Sequence, residues 1–89
     1  MTHRKRHYLA GALAAREFLR RTQSDLRVHR QFRPNALRWE FAYAVGMHPP
    51  EYRAGFFDAI GAYVLTTLEG VLVDPYRWEV LDLLEREEN

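Results

Sequence analysis

The sequence predicts an all-α protein, a single domain over residues 1–89 built as a compact bundle of four helices, or five if the first helical segment is broken. Two observations lead to this prediction. Apolar residues recur at spacings of three and four along most of the chain, and glycine, proline and asparagine stand where one helix should end and the next begin. Alternation of apolar and polar residues, which would predict strands, is not sustained anywhere.

The first helix is predicted over residues 8–22, and the basic residues 1–7 before it are predicted to form a flexible arm. The next polar residues offer a break, because Ser24 or Asp25 can cap a short continuation. If the helix instead runs through this point unbroken, four arginines align as one basic stripe on its surface. These are Arg16, Arg20, Arg27 and Arg30.

The middle of the chain predicts two helices joined by a tight turn. Asn35 is expected to cap a helix over residues 36–45, and Gly46 is expected to take the left-handed conformation that ends it. Pro50 suits the first turn of the next helix, because that turn has no use for the missing amide donor. This helix is predicted to be the long central one, over about residues 50–69.

A last helix is predicted near the C-terminus. The long helix should stop at Gly70, and after a short extended link Asp74 and Pro75 give a cap and a first-turn residue. The final helix should then run over about residues 76–86. Residues 87–89 are expected to fray.

Composition limits the classes of function. The chain has no cysteine, which excludes disulfides, thiolate catalysis and cysteine-ligated zinc, and favours a cytoplasmic location. The uncharged stretch over residues 59–68 reaches about half of the ~18 residues that a membrane span needs. Ser24 is the only serine, and no phosphate-binding loop or pair of acids in an apolar face is visible. We therefore expect a protein that is not an enzyme and that needs no cofactor or metal.

Charge is distributed unevenly along the chain. Residues 1–38 carry ten basic and two acidic side chains, a formal charge of +8, whereas residues 39–89 carry three and ten, a charge of −7. This asymmetry indicates an anionic partner for the first half, or pairing of the two halves within or between chains. The candidate contacts to nucleic acid or another anionic partner are Arg4, Lys5, Arg6, Arg16, Arg20, Arg27 and Arg30.

Residues 45–56, VGMHPPEYRAGF, have the outline of a helix-turn-helix. In that outline they resemble the half-motif of AraC-type regulators, and the resemblance implies base reading by the helix that begins at Pro50. The chemistry of the helix favours another interpretation. Its first turns carry Glu51 and Asp58 with Arg53 as their only cation, whereas phosphates and base edges need donors. We expect this turn to be a corner of the core.

The helix over residues 36–45 is apolar on two sides. Leu37 and Phe41 mark one side, and Trp39 and Tyr43 mark another at a spacing of four. Such a helix is either buried between neighbours or presents one side to a partner, and tryptophan and tyrosine are frequent anchors of interfaces. An acidic row on the next helix is either solvated or faces a basic partner. The candidate partner-binding residues are Trp39, Tyr43, Glu51, Asp58 and Glu69.

A ridge of small residues follows the same long helix. Gly55, Ala59 and Ala62 are spaced by four and three residues, so that they lie side by side on its surface. Small ridges let two helix backbones approach closely. We expect close packing inside the chain here, or a dimer interface.

These features favour a small non-enzymatic helical protein that acts by binding another protein. In general character it is like the stoichiometric inhibitors of host systems that phages and mobile elements encode, including anti-CRISPR and other anti-defence proteins. One alternative is a nucleic-acid-binding protein that uses its basic N-terminal helix. The other is a self-assembling structural module that pairs basic and acidic halves, as a homodimer or a higher oligomer.

Overall fold

The computed structural model describes residues 3–29 and 33–79, which form three α-helices and no strand. Helix α1 spans His3–His29, α2 spans Pro34–Val45 and α3 spans Pro50–Leu68. The all-α prediction is confirmed. The predicted count of four or five helices is wrong, because this part of the chain contains three.

Helix α1 is continuous through the predicted break. Ser24 does not cap a new helix, because its Oγ shares a 2.7 Å hydrogen bond with the hydroxyl of Tyr76, 52 residues along the chain. Because the Ser24 hydroxyl is engaged in this contact and caps no new helix, α1 continues through Asp25. Residues 3–7, predicted as part of a flexible arm, are the first turns of α1.

The predicted last helix does not begin where the sequence places it. Asp74 caps a single turn, since its Oδ1 accepts from the amide of Tyr76 and its carbonyl accepts from the amide of Arg77, at 3.0 and 2.9 Å. Pro75 is fully buried in this turn, and the chain then leaves helical geometry up to Glu79. The remainder of the predicted helix and the predicted frayed tail, residues 80–89, lie outside the described residues.

Helix α2 begins two residues earlier than predicted, at Pro34, and ends at Val45 as predicted. The N-cap is Arg33, not Asn35. Pro34 occupies the first helical position, and the Arg33 carbonyl accepts from the amides three and four residues on, at Ala36 and Leu37. At the other end Gly46 has φ −62°, and the left-handed residue is Met47 at φ 67°. The prediction that Gly46 takes the left-handed position is therefore wrong.

Helix α3 begins and ends close to the predicted positions. Pro50 is its first residue, and Gly70, at φ 90°, lies two residues beyond its end. The amide of Gly70 donates to Thr67 and that of Val71 to Thr66, which is the bond pair of a Schellman motif. The left-handed φ of Gly70 explains why a glycine stands there.

The closest packing in the fold is between α1 and α3. A Cβ placed on Gly11 would lie 1.9 Å from the carbonyl oxygen of Tyr52, and one placed on Gly55 would lie 1.9 Å from that of Tyr8. The two helices therefore meet backbone to backbone, with a glycine from each at the contact. Of the ridge predicted on α3, Gly55 and Ala59 are buried in this contact.

The two sides of this contact have the same local sequence. Residues 8–15 read YLAGALAA and residues 52–59 read YRAGFFDA, so both follow the pattern Tyr-x-Ala-Gly-x-x-x-Ala. In each copy the tyrosine backbone receives the glycine of the other copy. The crossing of α1 and α3 is therefore reciprocal.

Aromatic rings extend the core from the α1–α3 crossing towards α2. The ring of Phe41 stacks on Phe18 at 4.7 Å and meets the edge of Phe56 at 6.1 Å. Among the described residues the buried hydrophobic core consists of three alanines and two phenylalanines, namely Ala12, Ala15, Ala59, Phe18 and Phe56. None of the three helices is both long and apolar enough to cross a membrane.

Replacing either crossing glycine with alanine should destabilise the fold. Gly11→Ala or Gly55→Ala puts a methyl group against backbone atoms that cannot rotate away, and overpacking of this kind costs about 1–3 kcal/mol or more. Thermal unfolding followed by circular dichroism should show Tm lowered by at least about 4 °C. Gly61→Ala is the matched control, since a Cβ there meets no atom within 4 Å, and in dilute protein it should keep or raise Tm. Equal losses in all three variants would contradict the assignment.

Candidate protein-binding surface

Helix α2 lies on the outside of the molecule. None of its twelve residues is fully buried, and its inner side rests half-buried on the core through Leu37, Phe41, Ala44 and Val45. The helix is short, and its packing against the α1–α3 pair depends largely on the ring of Phe41. It therefore stands as a ridge on the surface.

The outer side of this ridge carries large apolar side chains. Trp39 is 69% exposed, Tyr43 is 87% exposed and Met47 is fully exposed. The guanidinium of Arg38 lies 5.9 Å from the centre of the Trp39 ring, within range of a cation–π contact. Trp39 and Tyr43 thus lie on the side of α2 that faces away from Phe41.

An apolar groove runs along one flank of the ridge, between α2 and α3. Ala42, which lines this groove, also lines the outer side between Trp39 and Tyr43, so the groove and the aromatic side are one continuous surface. The residues that line the groove are Pro34, Leu37, Arg38, Phe41, Ala42 and Phe57.

The other flank of the ridge has a more polar groove, between α2 and α1. Its floor is apolar, and its rim carries Glu17 and Arg21 from α1 together with His48, whose ring stacks on Tyr52 at 3.8 Å. Tyr43 lines this groove as well as the outer side of α2. Grooves on both flanks leave the ridge accessible from three sides.

The acidic residues predicted to bind a partner lie elsewhere. The Tyr8 hydroxyl donates to Asp58 Oδ2 at 2.6 Å, and Arg4 Nε lies 3.8 Å from Glu51 Oε1. Glu69 is exposed at the C-cap of α3. The basic and acidic halves of the sequence therefore meet within one chain, through exposed contacts of the kind that contribute little to stability. The structure separates this acidic row from Trp39 and Tyr43.

Part of the predicted basic stripe is engaged in contacts within the chain. Arg20 Nε donates to the carbonyl of Pro75 at 2.8 Å and one Nη donates to that of Tyr76 at 3.0 Å. The other Nη of Arg20 donates to Glu17 Oε1 at 2.8 Å. The side chain of Arg16, next to Glu17, is 23% exposed, like that of Arg20.

The remaining basic candidates are at the surface. Arg4, Lys5 and Arg6 are exposed on the first turns of α1, and Arg27 is exposed near its end. Arg30 lies outside the described residues. The structure therefore brings no continuous row of exposed arginines together over Arg16, Arg20 and Arg27.

Three residues of the surface were missed from the sequence. Ala42 and Phe57 line the apolar groove together with neighbouring surfaces, and Met47 is a further exposed apolar side chain in the turn after α2. Phe57 is about half exposed, unlike its buried neighbour Phe56.

No match was found when the chain was compared with models of protein families, with curated proteins and with solved structures. Within residues 3–29 and 33–79, no three histidine, aspartate or glutamate side chains lie close enough together to hold a metal ion.

Removing the donors of Arg20 should release the turn at residues 74–77. Arg20→Met keeps the aliphatic length of the side chain and removes both of its hydrogen bonds to the carbonyls of Pro75 and Tyr76, worth at most about 1.5–3 kcal/mol each because the donor is charged. Trp78, held against Tyr63 at 5.6 Å, reports the release. In a Trp39→Phe background, its fluorescence should shift to longer wavelength. Arg27→Met is the control and should leave the emission unchanged; a blue or absent shift in Arg20→Met would contradict the role of Arg20.

Proposed function

We propose that this protein acts by binding another protein, with α2 as the segment that the partner receives. The observation that supports this most is the exposure of Trp39 and Tyr43 on the outer side of a helix whose inner side packs on the core. Aromatic side chains that leave water on binding are the usual anchors of interfaces.

The shape of the region supports the same proposal. A single helix with grooves on both flanks can enter an apolar groove of a partner, as amphipathic helices do in many complexes. The partner's walls would then contact the two grooves, and its floor would cover Trp39 and Tyr43. Phe57 lies at the base of the apolar groove and would be covered as well.

The charges around α2 fit recognition at a rim. Arg38 and Glu40 are exposed beside the aromatic side, where charged groups influence the rate and the specificity of association more than its affinity. The proposed role is non-enzymatic, and it uses no cofactor. A protein of this size that occupies a groove on its target would act as a stoichiometric inhibitor, as anti-CRISPR and other anti-defence proteins of phages do.

The nucleic-acid alternative remains a prediction, with less support from the geometry. Arg20 is held by two backbone carbonyls and Glu17, so phosphate binding by Arg20 would have to break contacts that hold the turn at Pro75 and Tyr76. The exposed cations Arg4, Lys5, Arg6 and Arg27 lie at the two ends of α1.

The protein-binding proposal is tested by truncating the two anchors. Wild-type protein and the Trp39→Ala/Tyr43→Ala double variant are immobilised, and the proteins retained from native host extract are compared by mass spectrometry. The partner retained by the wild type should then be produced in pure form and its affinity measured by calorimetry. We expect the double variant to lose roughly 700-fold in affinity, as loss of two anchors of about 2 kcal/mol each implies.

Two controls make the result interpretable. Circular dichroism of the double variant should match the wild type, since both side chains are largely exposed and not part of the core. Val28→Ala, at another exposed apolar residue on α1, should keep full affinity. A pure partner that binds the double variant as tightly as the wild type would refute the role of α2.

A gel-shift experiment distinguishes nucleic-acid binding from the proposed protein binding. With micromolar protein and about 50 mM salt, we expect no shift of duplex or single-stranded DNA, because phosphate binding needs several free cations in one row. A shift that weakens steeply as salt is raised would favour the nucleic-acid function over the proposed one.

A further inference from the structure

Helix α3 has an apolar side that no other described element covers. Phe57, Val64, Leu65 and Leu68 are between about half and three-quarters exposed, and with Gly61 they fall within about 100° of arc on the helix. We call these five residues the outer stripe. It lies on the side of α3 opposite Gly55 and Ala59, which are buried against α1.

Among residues 3–29 and 33–79, nothing explains why position 61 is a glycine. Its φ is not in the left-handed region, and a Cβ placed on it would meet no atom within 4 Å. Glycine in the middle of a helix is nonetheless unfavourable relative to alanine. Gly61 also forms the floor of a shallow depression between Phe57 and Leu65, in the centre of the outer stripe.

The same protein shows what a helix glycine does when it is covered. At Gly11 and Gly55 the missing side chain allows a second helix to approach until backbones touch. A glycine at the centre of an exposed apolar stripe is suited to the same approach by a helix from outside the chain.

We infer that the outer stripe binds a second copy of this chain, with the two α3 helices parallel, packed side by side along the stripe and in closest contact at Gly61. A two-fold axis makes such an interface self-complementary, so that the stripe of one protomer covers the stripe of its partner. This surface shares Phe57 with the groove beside α2 and otherwise consists of residues outside the proposed protein-binding surface, and the inference does not depend on the proposed function.

Charge on the two flanks of the stripe supports the second copy and sets its direction. Asp58, Glu51 and Glu69 lie along one flank, and Arg53 lies along the other, so the flanks are opposite in charge. In a parallel pair each flank faces the opposite flank of the other copy, which brings Arg53 near Asp58. In an antiparallel pair like flanks meet, and the acidic rows would repel.

The size of the stripe predicts a weak dimer. One helix face offers less than the ~800 Å² per partner of a standard interface, so association should be transient and should depend on concentration over the micromolar range. Sedimentation equilibrium between about 10 and 500 µM should therefore show the mass rising from monomer towards dimer.

Single cysteines give the sharpest test, because the natural sequence contains none. In a parallel two-fold pair, identical positions of the stripe face each other along its whole length. Phe57→Cys, Val64→Cys and Leu68→Cys should therefore each form a disulfide-linked dimer under mild oxidation. The control Val28→Cys, exposed on α1, should react at least about fivefold more slowly, since it gains no effective concentration from the pair.

A charge variant tests the flanks independently. Arg53→Glu should raise the dimer dissociation constant by about threefold to tenfold, as loss of two exposed ion pairs implies, whereas Arg27→Glu changes the net charge equally and should have a smaller effect. The circular dichroism of every variant is compared with the wild type to confirm folding.

Each other outcome overturns the inference. A monomer at all concentrations, or three stripe cysteines that react no faster than Val28→Cys, excludes the interface. Reaction at one stripe position alone excludes the parallel arrangement. The Trp39→Ala/Tyr43→Ala variant should keep the full cross-linking of Val64→Cys when the two are combined, so failure of partner binding and failure of self-association are measured separately.

Discussion

The contact between the backbones of α1 and α3 determines the arrangement of the rest of the molecule. Gly11 and Gly55 allow the two longest helices to approach so closely that their carbonyl groups lie where side chains would otherwise be. Most of the fully buried side chains belong to this pair, and most of those are alanines. With only Phe18 and Phe56 as large buried side chains in this core, burial stabilises the fold modestly, and stability also depends on close fit over the crossing.

The same contact leaves α2 at the periphery. Because α1 and α3 already pack closely against each other, little of the core is left for α2 to cover. Helix α2 adds the ring of Phe41 to the aromatic cluster with Phe18 and Phe56, and its other aromatic residues stay exposed. The turn at residues 74–77 is attached in a different way, by the guanidinium of Arg20 and the hydroxyl of Ser24. Polar side chains that the sequence suggests for capping or for an anionic partner are thereby used to hold the chain together.

Some features of this fold follow from single residues, and others depend on residues that are far apart in the sequence. Proline at position 50 and glycine at position 70 predict the ends of α3 because each acts on its own backbone conformation. Ser24 suggests a helix break that does not occur, because its hydroxyl bonds to a tyrosine 52 residues away. Trp39 has the same apolar character whether it is buried or exposed, and only the position of α2 on the surface distinguishes the two. The Tyr-x-Ala-Gly-x-x-x-Ala repeat was available in the sequence and would have indicated that the two helices cross at their glycines.

The reciprocal crossing also constrains how this protein can diverge. A side chain that becomes too large can usually be accommodated by a smaller neighbour, but at Gly11 and Gly55 the neighbour is main chain, which no substitution can shorten. The two glycines cannot compensate for one another either, since each faces a tyrosine backbone and not the other glycine. Exposed residues such as Trp39 and Tyr43 are under no comparable constraint. A lineage of such proteins could therefore change its partner repeatedly while these two positions stay fixed.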